Sequence, residues 1–220
     1  VAPVMLTLAL AGVTTVLLVL VGTPIAWWLV RAKWKGKEVI AAITALPLVL
    51  PPTVLGFYLL IVLGPSGPGG LVAPLFGART LAFSFWGLVV GSVVYSLPFM
   101  VQPLRNAFGS VSPVLFEAAA ILGATRWDMF RRVALPLARP GLVTGMILSF
   151  AHTVGEFGVV LMIGGNIPGQ TRVMSIAIYD LVEQGRWGEA HLLAAVLVVF
   201  AFAVIAGAMA IDRRLGRVAE

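Results

Sequence analysis

Long apolar runs separated by short polar and charged segments dominate the pattern of this chain. A helix needs about 20 predominantly apolar residues to cross the hydrocarbon layer of a membrane. The runs that reach this length cover about 4–30, 39–63, 81–103, 141–163 and 191–211. The pattern therefore predicts an all-α integral membrane protein with about five transmembrane helices, forming a single transmembrane domain over residues 1–220.

The composition favours a membrane protein over a soluble one. Hydrophobic residues make up 60% of the chain and charged residues only 11%, and the mean hydropathy is +1.04. A soluble domain of this size cannot bury so much apolar surface. The first apolar run is too long for a cleavable signal peptide and no basic segment precedes it, so we expect it to remain as a span.

Lysine and arginine are distributed unequally between the loops on the two sides of the predicted membrane. Cytoplasmic loops retain positive charge, so the richer side is expected to face the cytoplasm. The N-terminus is therefore expected outside and the C-terminus in the cytoplasm. The net charge of +6 is then explained by basic residues in cytoplasmic loops rather than by nucleic-acid binding. The poorer side has Arg79, Arg172 and Arg186. The richer side has Arg31, Lys33, Lys35, Lys37, Arg105, Arg126, Arg131, Arg132, Arg139, Arg213, Arg214 and Arg217.

The sequence offers little for catalysis or metal binding. It has no cysteine, which excludes thiolate metal sites and disulfides. His152 and His191 are far apart and form no HExxH pair. No G-x-x-x-x-G-K-[ST] loop is present, so ATP would have to be hydrolysed on a separate subunit. We therefore predict that the chain has no catalytic site, no metal and no cofactor.

The second apolar run contains three prolines near its middle, Pro47, Pro51 and Pro52. An interior proline removes a backbone donor and clashes with the preceding turn, so this helix is expected to bend or break. In hydrocarbon a broken helix needs protein or a water-filled cavity around its freed backbone groups. The segment is therefore expected to face the protein interior or a path through it. A kinked structural helix is the alternative interpretation.

Two pairs of glycines at GxxxG spacing, Gly87 with Gly91 and Gly141 with Gly145, fall in the third and fourth runs. Small residues at this spacing let helix backbones approach closely. We expect both pairs to lie in helix contacts, within one subunit or between subunits.

The two predicted outer loops differ in character. The loop at 64–80 is rich in glycine and proline and is expected to be irregular. The loop at 164–190 is expected to hold a short helix that ends before Gly185. Because that helix mixes apolar and charged residues, we expect it to lie at the membrane surface.

The longest predicted cytoplasmic segment, about 104–140, contains clear signals for two short helices. Ser112 and Pro113 suit the start of the first helix, and Gly123 suits its end. Thr125 forms a capping signal with Asp128 for the second helix.

The second short helix is expected to run to about Val133 and to end at Pro136, while Pro140 suits the start of the fourth span. Together the two helices form a compact knob that projects into the cytoplasm. Apolar side chains exposed on such a knob require a partner surface. The candidates are Leu115, Phe116, Ile121, Trp127 and Phe130.

The letters EAA at 117–119, a glycine at 123 and LP at 135–136 stand in one cytoplasmic loop ahead of a late span. This order and spacing resemble the cytoplasmic EAA loop of ABC importer permeases. The resemblance implies that the knob is a coupling helix that inserts into a groove on the ATPase subunit; a purely structural loop is the alternative. The implied coupling residues are Glu117, Ala118, Ala119, Gly123, Ala124 and Trp127. Of these we expect Glu117 and Gly123 to be the least replaceable.

The resemblance extends over most of the chain. The segments 46–60, 83–90, 96–108, 149–160 and 166–179 are similar to the molybdate permeases of bacterial and archaeal ABC importers. The resemblance implies half of a homodimer in the plasma (inner) membrane of a prokaryote, with two cytoplasmic ATPase subunits and an extracytoplasmic oxyanion-binding protein. Sulfate and tungstate permeases share much of the pattern, so the tetrahedral oxyanion could be any of the three.

Two other classes of function are open to a helical membrane protein. A stand-alone secondary transporter or channel would be favoured by inverted repeats and coupling charges. Five spans do not divide into equal halves, and Glu156 is the only ionised candidate inside a predicted span. A membrane-bound enzyme would need convergent polar groups, whereas the spans offer mainly scattered serine and threonine.

Few groups in the predicted spans could contact a passing anion. No lysine or arginine falls within them, so the path is expected to bind its anion weakly, through hydroxyls and freed backbone N–H groups. His152 and Glu156 are four residues apart and are expected to be neighbours on one helix face, with Glu156 toward protein or water. The pathway or gate candidates are Pro51, Pro52, Thr53, Ser149, His152, Thr153, Gly155 and Glu156.

Overall fold

The computed structural model describes residues 2–216, with side chains described to residue 207 except that of Phe76. Arg217, which was counted toward the orientation, lies outside the described residues, and Arg213 and Arg214 lie beyond the described side chains. The described chain is helical and contains no strand, which confirms the predicted fold class. The helices are α1 Ala2–Arg31, α2 Lys37–Ala45, α3 Pro52–Leu63, α4 Pro68–Val72, α5 Phe85–Gly109, α6 Pro113–Ile121, α7 Arg126–Asp128, α8 Leu135–Leu137, α9 Arg139–Gly155, α10 Gly158–Gly164, α11 Met174–Glu183 and α12 Trp187–Gly216.

Three helices are continuous and long enough to cross a membrane: α1, α5 and α12. The predicted second span is bent by 110° between Lys37–Leu48 and Pro52–Leu63. The predicted break is thus confirmed: a short 3-10 turn, Leu46–Leu48, follows α2, and α3 starts at Pro52. Counting bent helix pairs as single spans gives up to 5 spans in the described chain.

The predicted fourth span, 141–163, is not one helix. α9 ends at Gly155, and the backbone of Glu156 is extended, with φ −66° and ψ 134°. The chain resumes as α10 at Gly158. Glycine is a poor helix former, so the glycines at 155 and 158 flank a segment with little intrinsic reason to stay helical.

The centre of the bundle is α5, which packs against α1 and α9. Gly145 of α9 sits so close to α5 that a Cβ there would lie 2.9 Å from Sδ of Met100, and Gly141 lies against Ala107. Gly91 lies against Ile163 of α10. These contacts confirm close helix packing at three of the four glycines within a single subunit; Gly87 instead lies against the backbone of the preceding loop, at Leu81.

The predicted outer loop, 64–80, is more regular than expected, since it contains α4 and a 3-10 turn over Ala73–Phe76. The Leu63 carbonyl accepts hydrogen bonds from the backbone N–H groups of Leu81 and Ala82 and from the Thr80 hydroxyl. These bonds return the chain to the end of α3, so the composition was a poor guide to this loop.

The short helix predicted in the second outer loop is confirmed as α11, and the chain leaves it through Gly185 at φ +71°. α11 buries Met174, Ile176 and Ala177. The N–H of Met174 donates to the Thr7 hydroxyl at 2.8 Å. One side of α11 is therefore packed on the bundle, against α1 and α12, rather than lying free on a membrane surface.

Candidate functional site

The first candidate site is the loop between α5 and α9, which we call the coupling loop (residues 110–138). α6 begins at Pro113 as predicted, although the Ser112 side chain makes no capping hydrogen bond. The chain then turns at Gly123, whose φ is +81°. A residue with a Cβ is strained in this left-handed conformation, so glycine is required by the backbone and not by crowding. No other atom lies within 4 Å of the place a Cβ would occupy.

The second half of the coupling loop starts with the predicted capping box. The Thr125 hydroxyl accepts from the Asp128 N–H at 3.2 Å, and the Asp128 carboxylate accepts from the Thr125 N–H at 3.2 Å. The hydrogen bonds from the Thr125 hydroxyl and N–H, with Arg132 nearby, hold the pKa of Asp128 below its ordinary value. The helical path continues through a π-helical stretch, Met129–Ala134, to Leu137, beyond the predicted end.

The coupling loop exposes a set of apolar side chains at its tip. Ile121 and Leu122 are 86% and 87% exposed, and Trp127 is 65% exposed. Glu117, Ala118 and Gly123 are also exposed, while Ala124 is half-buried and Ala119 is buried. The prediction of exposure is wrong for Phe116, which is 8% exposed, and for Phe130, which packs into the core. Of the predicted coupling residues, all except the buried Ala119 are therefore at least partly accessible on the coupling loop.

The second candidate site lies where the two broken spans meet. α3 packs against α10 through two glycines. A Cβ on Gly158 would lie 2.7 Å from Cβ of Pro52, and a Cβ on Gly56 would lie 2.7 Å from Cβ of Met162. Contacts this close leave no room for larger side chains. The break before Pro52 and the break at Glu156 are therefore adjacent in space.

Glu156 is buried between the two halves of the fourth span. Its side chain is 4% exposed, and Oε2 accepts from the Ser92 hydroxyl of α5 at 2.8 Å. Its backbone carbonyl accepts from the Ser175 hydroxyl of α11 at 2.5 Å. Oε1 has no hydrogen-bond partner among the described residues. The expectation that Glu156 faces protein rather than lipid is met, and its carboxyl group ties the break to α5.

His152 and Glu156 are not the helical pair that the sequence suggested, because α9 ends between them at Gly155. Nδ1 of His152 lies 2.9 Å from the Ser96 hydroxyl, one turn along α5 from Ser92. The imidazole stacks on the Phe99 ring with centroids 4.1 Å apart. Each side chain is thus held by its own serine on α5, and α5 provides the polar groups that line the α9–α10 break.

The remaining pathway candidates divide into buried and exposed groups. Ser149 and Thr153 are buried, and the Thr153 hydroxyl donates to the Ser149 carbonyl at 2.9 Å, so neither hydroxyl faces an open surface. Pro51, Thr53 and Gly155 are exposed beside the breaks. Prolines carry no N–H, so the expected backbone donors cannot come from Pro51 or its neighbour; the first N–H of α3 belongs to Thr53.

The sequence of this chain is similar to those of known transport proteins. The family model described as "Binding-protein-dependent transport system inner membrane component" matches residues 5–217. The chain belongs to this family. A molybdenum transport system permease protein, ModB, of Azotobacter vinelandii is 58% identical over 93% of this chain and 90% of its own length. A probable sulfate transport system permease protein of Chlorella vulgaris is 37% identical over 82% of this chain and 67% of its own length.

The fold is also that of a solved transporter. The crystal structure of a bacterial ABC transporter involved in the import of the acidic polysaccharide alginate matches with a TM-score of 0.74 and 25% identity, covering 97% of this chain and 78% of the other. The predicted resemblance of the chain to ABC importer permeases is thereby confirmed. These relatives are transport subunits, and no group of metal-ligating side chains occurs among the described residues of this chain.

In this family member, the coupling loop is joined to the spans by an aromatic cluster that the sequence did not reveal. We call it the aromatic junction; its members are Trp27, Phe108, Phe116 and Phe130. The Trp27 ring centroid lies 5.3 Å from that of Phe108, 5.9 Å from Phe116 and 5.5 Å from Phe130. The junction therefore connects α1 and the end of α5 to both helices of the coupling loop.

Arg31, at the last position of α1, adds a cationic contact to the aromatic junction. Its guanidinium carbon lies 4.7 Å from the Phe116 ring centroid and 5.5 Å from that of Trp27. A guanidinium at this distance is attracted by the ring face. The tryptophan pair followed by arginine at the end of the first span is a weak sequence signal for this arrangement, since the same pattern also fits a membrane-interface anchor.

Proposed function

We propose that this chain is the permease subunit of an ABC importer that carries a tetrahedral oxyanion, molybdate in the first place, into the cytoplasm. The observation that carries this proposal is the coupling loop, whose tip exposes the apolar side chains of Ile121, Leu122 and Trp127. Exposed apolar groups on a loop between spans fit a protein surface that covers them. ATP hydrolysis then takes place on the subunit that provides this surface. Similarity to a molybdenum permease supports the substrate.

The working unit in this proposal contains two copies of the chain, two cytoplasmic ATPase subunits and an extracytoplasmic oxyanion-binding protein. The N-terminus lies outside and the coupling loop in the cytoplasm, as the distribution of basic residues favours. Beside the break, α3 exposes Phe57, Tyr58 and Ile61. This face suits contact with the second copy, while the largely exposed apolar surface of α12 suits lipid.

The gate is placed at the contact of the two broken spans. Glu156 fixes the backbone between Gly155 and Gly158, because its carboxyl group and its carbonyl are held by α5 and α11. Exposed groups beside the breaks, among them Thr53, line the path. Irregular backbone at membrane depth is characteristic of such paths. The serines on α5 then position the gate rather than contact the anion.

Sulfate and tungstate are the alternative substrates, and a stand-alone carrier is the alternative class. Molybdate and tungstate are near-identical tetrahedral dianions, so contacts with uncharged groups give little basis to distinguish them. A stand-alone carrier would leave the apolar tip of the coupling loop without a use. Co-purification of an ATPase subunit in detergent distinguishes the importer from the carrier.

The proposal predicts oxyanion-stimulated ATP hydrolysis. In vesicles that contain the permease, its ATPase and its binding protein, molybdate is expected to raise the hydrolysis rate severalfold, and sulfate is expected to have little effect. Ile121→Asp should abolish the stimulation, because a carboxylate would be buried against the ATPase at a cost of several kcal/mol. Ile121→Leu keeps an apolar side chain and serves as the control. Uptake without ATP, or stimulation that survives Ile121→Asp, would contradict the proposal.

A second prediction concerns affinity in the path. No lysine or arginine falls within the predicted spans, so the path should hold its anion only weakly, and specificity should reside in the separate binding protein. Calorimetry on the purified permease without its binding protein is expected to detect no oxyanion site tighter than about micromolar, the range that weak, uncharged contacts support. A sub-micromolar site inside the spans would overturn this expectation.

A further inference from the structure

A polar cavity of about 300 Å³ lies between α1, α2 and α5, near the end of α5 that leads into the coupling loop. It is separate from the contact of the broken spans and from the aromatic junction. Its polar groups are the side chains of Gln102, Arg105 and Asn106 on α5 and Thr44 on α2, and its apolar walls include Leu29 and Val101. At about 30 Å³ for each water-sized oxygen, a four-oxygen anion fits with space for water.

The three polar groups on α5 share one helix face, because they are spaced three and four residues apart. The amides of Gln102 and Asn106 are exposed and make no hydrogen bond to any described residue. Arginine offers a planar fork of donors that suits oxyanions, and each amide offers two further N–H donors. The predicted third span ended at 103, but α5 continues to Gly109, so Arg105 stands on the helix itself.

Arg105 has one acidic partner, and the contact is loose. The nearest atoms of Arg105 and Glu38 are 3.8 Å apart, and their side chains are 42% and 66% exposed. An exposed ion pair at this distance contributes little to stability and is readily exchanged. The Glu38 carboxylate therefore binds the Arg105 guanidinium only weakly, and another anion can replace it.

We infer that this cavity is a low-affinity exit site for the translocated tetrahedral oxyanion, in which Arg105, Gln102 and Asn106 bind the anion and Glu38 competes with it for Arg105. This inference rests on the proposed function. The competing carboxylate keeps the site weak, which suits an exit, because the anion must leave as readily as it enters. The alternative is that Arg105 and Glu38 form a purely structural ion pair between α2 and α5. In that case, replacing either residue should have the same effect.

The test uses the complete transporter in nanodiscs, without ATP and without its binding protein, and tungstate as the probe. Wild-type protein should bind tungstate in the millimolar range. Arg105→Gln should weaken binding about tenfold or more, as expected from the loss of a charge-assisted bidentate contact. Glu38→Gln should strengthen it severalfold, because the competitor is gone. Arg105→Lys keeps the positive charge but lacks the planar pair of guanidinium donors, so its affinity for tungstate should be intermediate.

Lys35→Gln is the matched control, because it removes one cytoplasmic positive charge and Lys35 does not line the cavity. It should leave tungstate binding unchanged. Heavy-atom scattering from bound tungsten should place the anion beside Arg105. Equal effects of Arg105→Gln and Glu38→Gln on thermal stability, with no opposite changes in binding, would show an ion pair only and overturn the inference. Failure of molybdate to stimulate ATP hydrolysis in the wild type would instead contradict the proposed function.

Discussion

Gly123→Val is expected to abolish transport while the protein remains inserted in the membrane. Gly123 has φ +81° and lies at the corner between α6 and α7. A β-branched residue in this region costs about 1–3 kcal/mol, and two short helices have few contacts with which to offset it. The corner would open, and the exposed tip would no longer present Ile121 and Trp127 together. Oxyanion uptake into vesicles measures the loss.

Two further variants distinguish the effect of backbone strain in general from the effect of strain at Gly123, the corner between α6 and α7. Gly123→Asn should retain most of the uptake, because asparagine tolerates the left-handed conformation better than other residues with a side chain. Gly185→Val introduces the same kind of strain at φ +71°, also with no atom within 4 Å of the added Cβ, but after α11 and outside the coupling loop. It should retain more uptake than Gly123→Val. Normal uptake by Gly123→Val would show that the turn at Gly123 is not required for transport.

The coupling corner could be predicted because its signals are local. Pro113 fixes the start of α6, Gly123 supplies the left-handed turn, and Thr125 with Asp128 caps the next helix. Each of these depends on residues within a few positions of one another, so a sequence alone is enough. The same is true of the break ahead of Pro52, where proline geometry forbids a continuous helix.

The break in the fourth span could not be predicted, because its cause is long-range. Without proline, the segment around Gly155 and Gly158 differs little from other glycine-containing spans. The flanking glycines permit a break, but what fixes Glu156 outside the helix is a hydrogen bond from Ser92, 64 residues away, and a second bond from Ser175. A sequence does not show which serine of α5 faces which group, so Glu156 and His152 were expected to be helical neighbours.

The side chains that the coupling loop exposes were mispredicted for a related reason. The pattern of apolar residues showed that some side chains must be exposed, but it did not show which. Phe116 and Phe130 turn inward because Trp27, more than 80 positions earlier in the chain, provides the surface that buries them. The apolar side chains that stay exposed on the coupling loop are the ones that a partner protein can contact.

Trp27→Ala is expected to uncouple ATP hydrolysis from transport. The Trp27 ring of α1 packs against Phe108, Phe116 and Phe130 in the aromatic junction. Removing a packed aromatic ring costs roughly 3–5 kcal/mol in a core, and less at this half-buried position. The coupling loop would still dock on the ATPase, since its exposed tip is unchanged. Its movement would no longer be transmitted to α1 and α5, so more ATP would be hydrolysed for each anion transported.

The measurement is the ratio of ATP hydrolysed to anion transported in vesicles, together with the midpoint of thermal unfolding. A merely destabilised protein loses both activities in proportion, so its ratio stays constant, whereas a broken junction raises the ratio. Trp27→Phe should restore much of the coupling, because a ring is kept. Trp28→Ala is the control on the neighbouring residue, which is 42% exposed and contacts Trp34 instead of the junction. If the ratio for Trp27→Ala equals that for Trp28→Ala, the aromatic junction serves stability alone.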